Sequence, residues 1–422
     1  MSTIDRVVTS RLLPDQATAR HQRDLATHQL MYGRLDLTTA RADIIADVES
    51  AGLTGRGGAG FPVFRKLVAV GDGGNPVVVA NGAEGEPASS KDRVLMSLAP
   101  HLVLDGLQLA CRAVGASEAY VYVHEGPLVA LMRSMVDVRA ASGVDAVTPS
   151  VVAAPARFIS GQESAVVSRL NGGEALPVAV PTPVYRKGVH RRPTLVQNVE
   201  TLAHLALIVS HGASWFRAAG TGHEPGTMLA TVGGAVPHPG VVEVPLGTRI
   251  GDVLERAGGA LDSLQAVLVG GYHGTWLPAS AVDLPLSVEG LHPHGATPGA
   301  GVVAALSQRS CGLVETSRVV AYLAQQSAGQ CGPCLNGLPA MAQTLGRLAS
   351  REGAAVLPQR VRELTALVER RGACHHPDGT VRFVRSAMTV FASEVALHVS
   401  GGCTATDPSR VLPVPMRSGG PS

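Results

Sequence analysis

Lysine is nearly missing from this sequence: among 35 basic residues only Lys66, Lys91 and Lys187 are lysines, and arginine fills the other positions. Where arginine has displaced lysine so widely, a retained lysine marks a place that favours a compact ammonium on a flexible stem over a planar guanidinium. Aromatic residues are also scarce, at 3%, so stacking surface for a planar ligand must come from few side chains. No apolar run reaches the roughly 18 residues of a membrane-spanning helix. The opening segment lacks the apolar block of a signal peptide. These absences predict a cytoplasmic protein with no direct membrane span. Acidic residues number 33, the formal charge is +2, and no basic run is long enough to follow a phosphate backbone. Nucleic acid is therefore not an expected partner. Six cysteines in 422 residues are too few and too scattered for a disulfide scaffold. Metal or redox chemistry is the better question for them.

What is present suggests three regions. Between Asn75 and Gly126 an apolar strand (NPVVVANG), a loop, an apolar helix (PHLVLDGLQLACRAVG) and a second strand (AYVYVHEG) read as an α/β unit with a parallel sheet. Such sheets bind ligands at the carboxyl ends of their strands. After a Pro-rich passage, the run VQNVETLAHLALIVSHG reads as a helix, and this first domain is expected to cover 1–222. A hairpin (MLATVGGAV, VVEVPLGT), a helix (IGDVLERAGG) and a strand (QAVLVGGY) then suggest a small β-grasp module over 223–300. Four segments with helical spacing, Cys311–Ser327, Leu335–Ser350, Gln359–Arg371 and Val381–Val399, predict a four-helix bundle over 301–422.

Three constellations carry chemistry. In GLTGRGGAGFPVFRK, Gly55, Gly57, Gly58 and Gly60 let backbone N–H groups approach a phosphate, while Arg56 and Lys66 supply positive charge. The spacing is neither a Walker A loop nor a clean G-x-G-x-x-G turn, so a tight surface loop is the alternative. The strand-exit loop NGAEGEPASSKDR offers Asn81, Glu84, Glu86, Lys91 and Asp92, with carboxylates suited to ribose or ribityl hydroxyls and an amide suited to a ring edge. A solvated acidic loop is the alternative there. Cys331 and Cys334 form a C-x-x-C pair between two helices, and Cys374 follows beside His375 and His376. The up-down order of the bundle brings these three sulfurs to one end, as an iron–sulfur cluster or a zinc ion requires. Cys111 and Cys311 lie on apolar helical segments and read as buried, unligated thiols.

In this order the constellations resemble the NADH- and FMN-binding flavoprotein subunit of respiratory complex I and its relatives in soluble dehydrogenases and hydrogenases. The resemblance covers nearly the whole chain. Its most specific stretches are GLTGRGGAGFP with Lys66, NGAEGEPASSKDR, FISGQESAVVSRLNG and PTLVQNVETLA. It implies an FMN-binding parallel-sheet α/β domain, an SLBB-like β-grasp module and an iron–sulfur helical bundle. It implies that Gly55 to Gly60, Phe61, Lys66, Asn81, Gly161, Gln162, Asn198 and Thr201 line FMN, with Glu84 and Glu163 as carboxylates at the reacting ring.

The departures from the family pattern are specific. An expected N-A-D-E reads Asn81, Gly82, Ala83, Glu84, and an expected G-E-E reads Gly161, Gln162, Glu163, so two carboxylates are lost. A family lysine falls on Val180 and a stacking aromatic on Pro183, with Tyr185 nearby. These changes predict weak NADH binding or none. In the cluster motif the first cysteine is replaced by Ala328, leaving Cys331, Cys334 and Cys374. The site is then a 3Fe-4S cluster, or a 4Fe-4S cluster completed by His375 or His376. Cys403 lies beyond a helix of about 18 residues, roughly 27 Å long, and is expected to end too far away. The function expected is electron transfer between FMN and the cluster, with other redox subunits or a ferredoxin-like protein as partners and attachment to a membrane complex at most peripheral. The alternative is a non-catalytic scaffold that keeps the fold and docks partners.

Overall fold

The computed structural model describes residues 10–13, 23–179, 182–352 and 354–415. Its first sheet is parallel: β1 (Val77–Gly82), β2 (Glu118–His124), β3 (Ser150–Ala154) and β4 (Thr194–Asn198) lie in the order β3-β2-β1-β4. Val77 and Val79 pack into one core, and Val78 and Ala80 into the core on the opposite face. This explains why β1 reads as continuous apolar sequence. Helix Pro100–Val114 starts at a proline and stops at left-handed Gly115. It packs so closely on helix Val199–His211 that a Cβ on Gly106 would lie 1.9 Å from the carbonyl oxygen of Leu202.

The run beginning at Val196, expected to be helical throughout, divides at Asn198: β4 ends there and the helix begins at Val199. Asn198 caps that helix by accepting from the Glu200 amide. The chain places β2 and β3 on one side of β1 and then crosses to put β4 on the other. The carboxyl ends of β1 and β4 therefore form the switch point at which a parallel sheet opens a crevice.

The second sheet runs β6-β5-β9-β7-β8, from β5 (Thr227–Gly234), β6 (Gly240–Pro245), β7 (Leu264–Val269), β8 (Thr275–Pro278) and β9 (Val302–Ser307). Its middle strand, β9, lies beyond the expected boundary at 300, so the helical region begins later than expected. VVAALS is apolar on both faces because β9 is buried between β5 and β7. One face of this sheet shares a core with the helical region through Leu268, Trp276, Ala304 and Leu306.

The carboxyl-terminal helices are Gly312–Gln325, Leu338–Ala349, Leu357–Val368, His376–Val390 and Ala392–Val399. The expected fourth helix thus starts earlier and is broken at Phe391, whose buried ring packs against Trp276. A π-helical turn, Pro333–Gly337, carries Cys334. Among the described residues no single helix is long and apolar enough to cross a membrane.

Candidate functional site

A crevice of about 550 Å³ opens at the β1/β4 switch point. Asn81 and Asn198 are register partners at its floor. Each is held: Asn81 Nδ2 donates to the Gly161 carbonyl at 2.8 Å, and Asn198 Nδ2 donates to Asp92 Oδ2 at 2.7 Å. Gly161 sits so near the next loop that a Cβ would be 2.3 Å from the Ala83 carbonyl oxygen. Only glycine allows that approach.

The glycine loop closes on itself where the Gly55 amide donates to the Phe61 carbonyl at 2.9 Å. Gly58 and Gly60 have φ of +103° and +62°, the left-handed region that glycine enters without strain. The Arg56 amide donates to Thr201 Oγ1 at 2.8 Å, tying the loop to helix Val199–His211. Among the described residues the amides of Gly57, Gly58, Ala59 and Gly60 find no protein acceptor, which leaves them free for an anion. The Arg56 guanidinium bonds Thr54 and the Pro225 carbonyl behind the loop. Gly58 turns toward a separate cavity on that rear side.

Lys66 and Glu163 face each other across the mouth at 3.5 Å, both partly exposed. Glu84 is held by Ser89 Oγ at 2.5 Å and by the amides of Asp92 and Arg93, both at 3.3 Å, at the start of helix Lys91–Leu98. Burial, then the charge of Asp92, raises its carboxyl above the ordinary range. Glu86 accepts from the amides of Tyr272 at 2.7 Å and Ala88 at 3.1 Å, and burial pushes it up to about 7. Beneath the floor, Lys91 pairs with Asp92 at 2.6 Å and Glu200 at 2.8 Å. Burial alone would depress this ammonium, but its two carboxylate partners hold it above its usual range.

The far wall of the same crevice is Phe158, His273, Cys374, His375 and His376. His376 is buried, with Nε2 2.9 Å from the Leu323 carbonyl and Nδ1 3.1 Å from His273 Nε2. The carbonyl fixes the proton on Nε2, and Nδ1 accepts from His273. Both ring nitrogens of His376 are thus engaged within the protein. His375 is exposed in the crevice.

Cys331 and Cys334 are in hydrogen-bond contact, and Cys374 lies near enough to share charge effects with them, though the three sulfurs do not all meet within 4.8 Å. Burial would raise Cys331, but the amides of Ala373 and Cys334 outweigh it, while Cys334 is pushed up to about 12 by burial and by facing Cys331. Cys374 is raised by burial and also feels Cys331. Cys403 is remote from them, as expected, and lies instead beside Cys311.

Two features escaped sequence reasoning. His273 comes from the middle module and reaches the crevice only through tertiary packing. Gln197, on β4, lines the crevice with a buried Nε2 that has no protein partner; the hidden strand boundary concealed it. A neighbouring cavity of about 410 Å³ is lined by Gln162, Val178, Pro183, Arg370 and His375. Val180 lies outside the described residues.

A parallel-sheet crevice with free loop amides, one wall of which carries Cys374 beside the Cys331–Cys334 pair, suits a flavin- and iron–sulfur-carrying electron-transfer protein. The family descriptions agree: Nuo51 FMN-binding domain matches residues 48–207, SLBB domain 229–271, and NADH-ubiquinone oxidoreductase-F iron-sulfur binding region 315–398. The F subunit of the NADH-quinone oxidoreductase of Streptomyces coelicolor is 30% identical over 394 residues, covering 89% of this chain and 87% of that protein. The NADP-reducing hydrogenase subunit HndC of Solidesulfovibrio fructosivorans is 28% identical over 380 residues, covering 86% and 77%. A chain of the H2-reduced NAD+-reducing NiFe-hydrogenase crystal structure superposes with TM-score 0.79 at 30% identity. The match covers 87% of this chain but 63% of that one. The chain belongs to the family of NADH-quinone oxidoreductase F subunits. Its FMN-binding domain and 4Fe-4S region are those of proteins that move electrons between the two groups.

Proposed function

We propose that this chain is the flavoprotein subunit of a larger redox assembly, binding FMN at the β1/β4 crevice and a cluster at Cys331, Cys334 and Cys374. The observation that carries the reading is the single crevice lined at one end by the glycine loop and at the other by Cys374 and His375. The residues fit FMN. The free amides of Gly57, Ala59 and Gly60 and the Lys66 ammonium suit its phosphate, and the unpartnered Gln197 amide and Asn81 suit its ribityl chain and ring edge. The space left by the absent Cβ of Gly161 lets the two loops close around it. A bound flavin supplies chemistry that accepts electrons in pairs and releases them singly.

In this assignment Thr201 is a positioning residue, since its hydroxyl holds the loop through the Arg56 amide. Glu84 anchors the start of helix Lys91–Leu98, and its raised carboxyl can keep a proton at the crevice floor. Glu163 offsets the Lys66 charge at the mouth. Arg56 and Gly58 shape the loop from behind. The three thiols fit an iron–sulfur group, and His375 is the imidazole available where Ala328 has removed a customary cysteine. Pro183 and Val178 leave the adjoining cavity without a stacking aromatic, and Ala83 brings no carboxylate to the crevice, which supports weak use of NADH. The partners are other redox subunits or a ferredoxin-like carrier, and the subunit is cytoplasmic, peripheral to any membrane complex. Anaerobic purification tests the reading: bound FMN together with iron and sulfide supports it, and a colourless protein that cannot be reconstituted with either supports the scaffold alternative.

A further inference from the structure

At the other end of the bundle, helix Gly312–Gln325 begins at Cys311, whose Sγ accepts from the Val314 amide. Glu394 and His398, one turn apart on the last helix, face it, and Cys403 follows where the tail turns back. The four ligand atoms all lie within 4.8 Å of one another. Cys311, Glu394 and His398 are buried, with exposures of 7%, 3% and 1%. Helix Gly312–Gln325 has 14 residues, so this group is separated from the cluster thiols by roughly 21 Å of helix.

Of three edges of the group, one falls within the range of a metal polyhedron and two lie just outside it. Cys311 Sγ is 3.5 Å from His398 Nε2 and 3.9 Å from Glu394 Oε1, and His398 Nε2 is 3.1 Å from Glu394 Oε1. A tetrahedral zinc site, with metal–sulfur bonds of about 2.3 Å and metal–nitrogen or –oxygen bonds of about 2.0–2.1 Å, has ligand–ligand edges of roughly 3.3–3.8 Å. The tautomer points the same way. His398 Nδ1 is 3.0 Å from the Leu348 carbonyl and must carry the proton. Its Nε2 then faces a carboxylate oxygen and a sulfur, the side on which a cation would sit. Histidines that bind metals commonly donate their other ring nitrogen to a backbone carbonyl in this way. Glu394 is oriented in turn by Thr404, whose amide and hydroxyl bond it at 2.9 and 2.5 Å.

We propose that Cys311, Glu394, His398 and Cys403 form a second, redox-silent metal site that takes a tetrahedral divalent cation of the zinc class. Two thiolates, one imidazole and one carboxylate are a donor set that suits zinc over magnesium or calcium. On binding, each thiol forms a metal–sulfur bond and releases its proton to solvent, so two protons leave per cation. The site ties three segments together: the start of helix Gly312–Gln325, the last helix, and the tail. That tail already runs across the helix and the middle module, where the Leu412 amide donates to Glu315 at 2.9 Å and Tyr272 Oη donates to the Pro413 carbonyl at 2.8 Å. The cation would fasten the tail at its root.

The test uses full-length protein made and handled anaerobically with added zinc, and counts zinc per chain by mass spectrometry of the metal. Wild type should hold one tightly bound zinc, and Cys403→Ser, a change at a partly exposed residue, should lose it while keeping its FMN and iron content. A Cys331→Ser/Cys334→Ser/Cys374→Ser variant should take up one cobalt(II) with thiolate charge-transfer absorption, and adding Cys403→Ser should abolish that absorption. Wild type without zinc, undiminished zinc in Cys403→Ser, or an intact mass about 2 Da low from a Cys311–Cys403 disulfide in the anaerobic protein would each overturn the proposal.

Discussion

Replacing Lys66 and Lys91 in turn should give opposite phenotypes. Lys66 is partly exposed and, among the described residues, its only anionic partner is Glu163 at 3.5 Å. A screened pair of this kind contributes about 0–1 kcal/mol to folding, so Lys66→Ala should leave the melting temperature within a degree or two. If the ammonium meets the FMN phosphate, its loss removes a charge-assisted hydrogen bond worth about 1.5–3 kcal/mol, which weakens FMN by about 10- to 150-fold. Lys91 is buried between Asp92 and Glu200 at 2.6 and 2.8 Å. Lys91→Met strands two buried carboxylates, a loss of about 3–5 kcal/mol, and frees Asp92, on which Asn198 depends. Flavin-fluorescence titration of apoprotein and thermal melts of the same samples read both quantities. Unchanged FMN affinity in Lys66→Ala, or equal destabilisation by the two changes, would refute the reasoning.

Gly161→Ala should lower FMN affinity by at least tenfold, because its methyl group would collide with the Ala83 carbonyl and push apart the loops that clasp the ring; equilibrium dialysis checks it. Micromolar NADH should bleach the flavin slowly or not at all, since Pro183 and Val178 offer no stacking surface, and stopped-flow absorbance settles the point. Glu86, raised to about 7 from an ordinary 4.5, binds its proton more tightly in the folded than in the unfolded chain. Its contribution to stability is therefore complete below about pH 4.5 and lost as the pH rises through about 7, and Glu86→Gln should flatten that decline in denaturant titrations across this range.

Much of the site was legible because its parts are local in sequence. The glycine loop, the β1 exit loop and the C-x-x-C turn each announce their backbone geometry through residue type. Thr194–Asn198 was hidden because its two apolar residues, Leu195 and Val196, stand only two residues before helix Val199–His211, and the cap at Asn198 alone marks the change. Phe391 breaks a helix with neither proline nor glycine, through packing of its ring on Trp276. The pairing of Cys311 with Cys403, across more than ninety residues, and the arrival of His273 beside His376 depend on tertiary assembly. The sequence at those positions carries no periodic or motif signal. His375 and His376, adjacent in the chain, part ways because one begins a buried helix face and the other points into the crevice.

The most direct measurement is cofactor analysis and electron paramagnetic resonance of anaerobic full-length protein. The account predicts about one FMN per chain, iron and sulfide in the proportion of a single cluster, and a paramagnetic signal on oxidation or reduction that Cys374→Ser removes while FMN stays bound. Protein that holds no FMN, or whose three clustered cysteines carry zinc without sulfide and give no signal in either redox state, would contradict it.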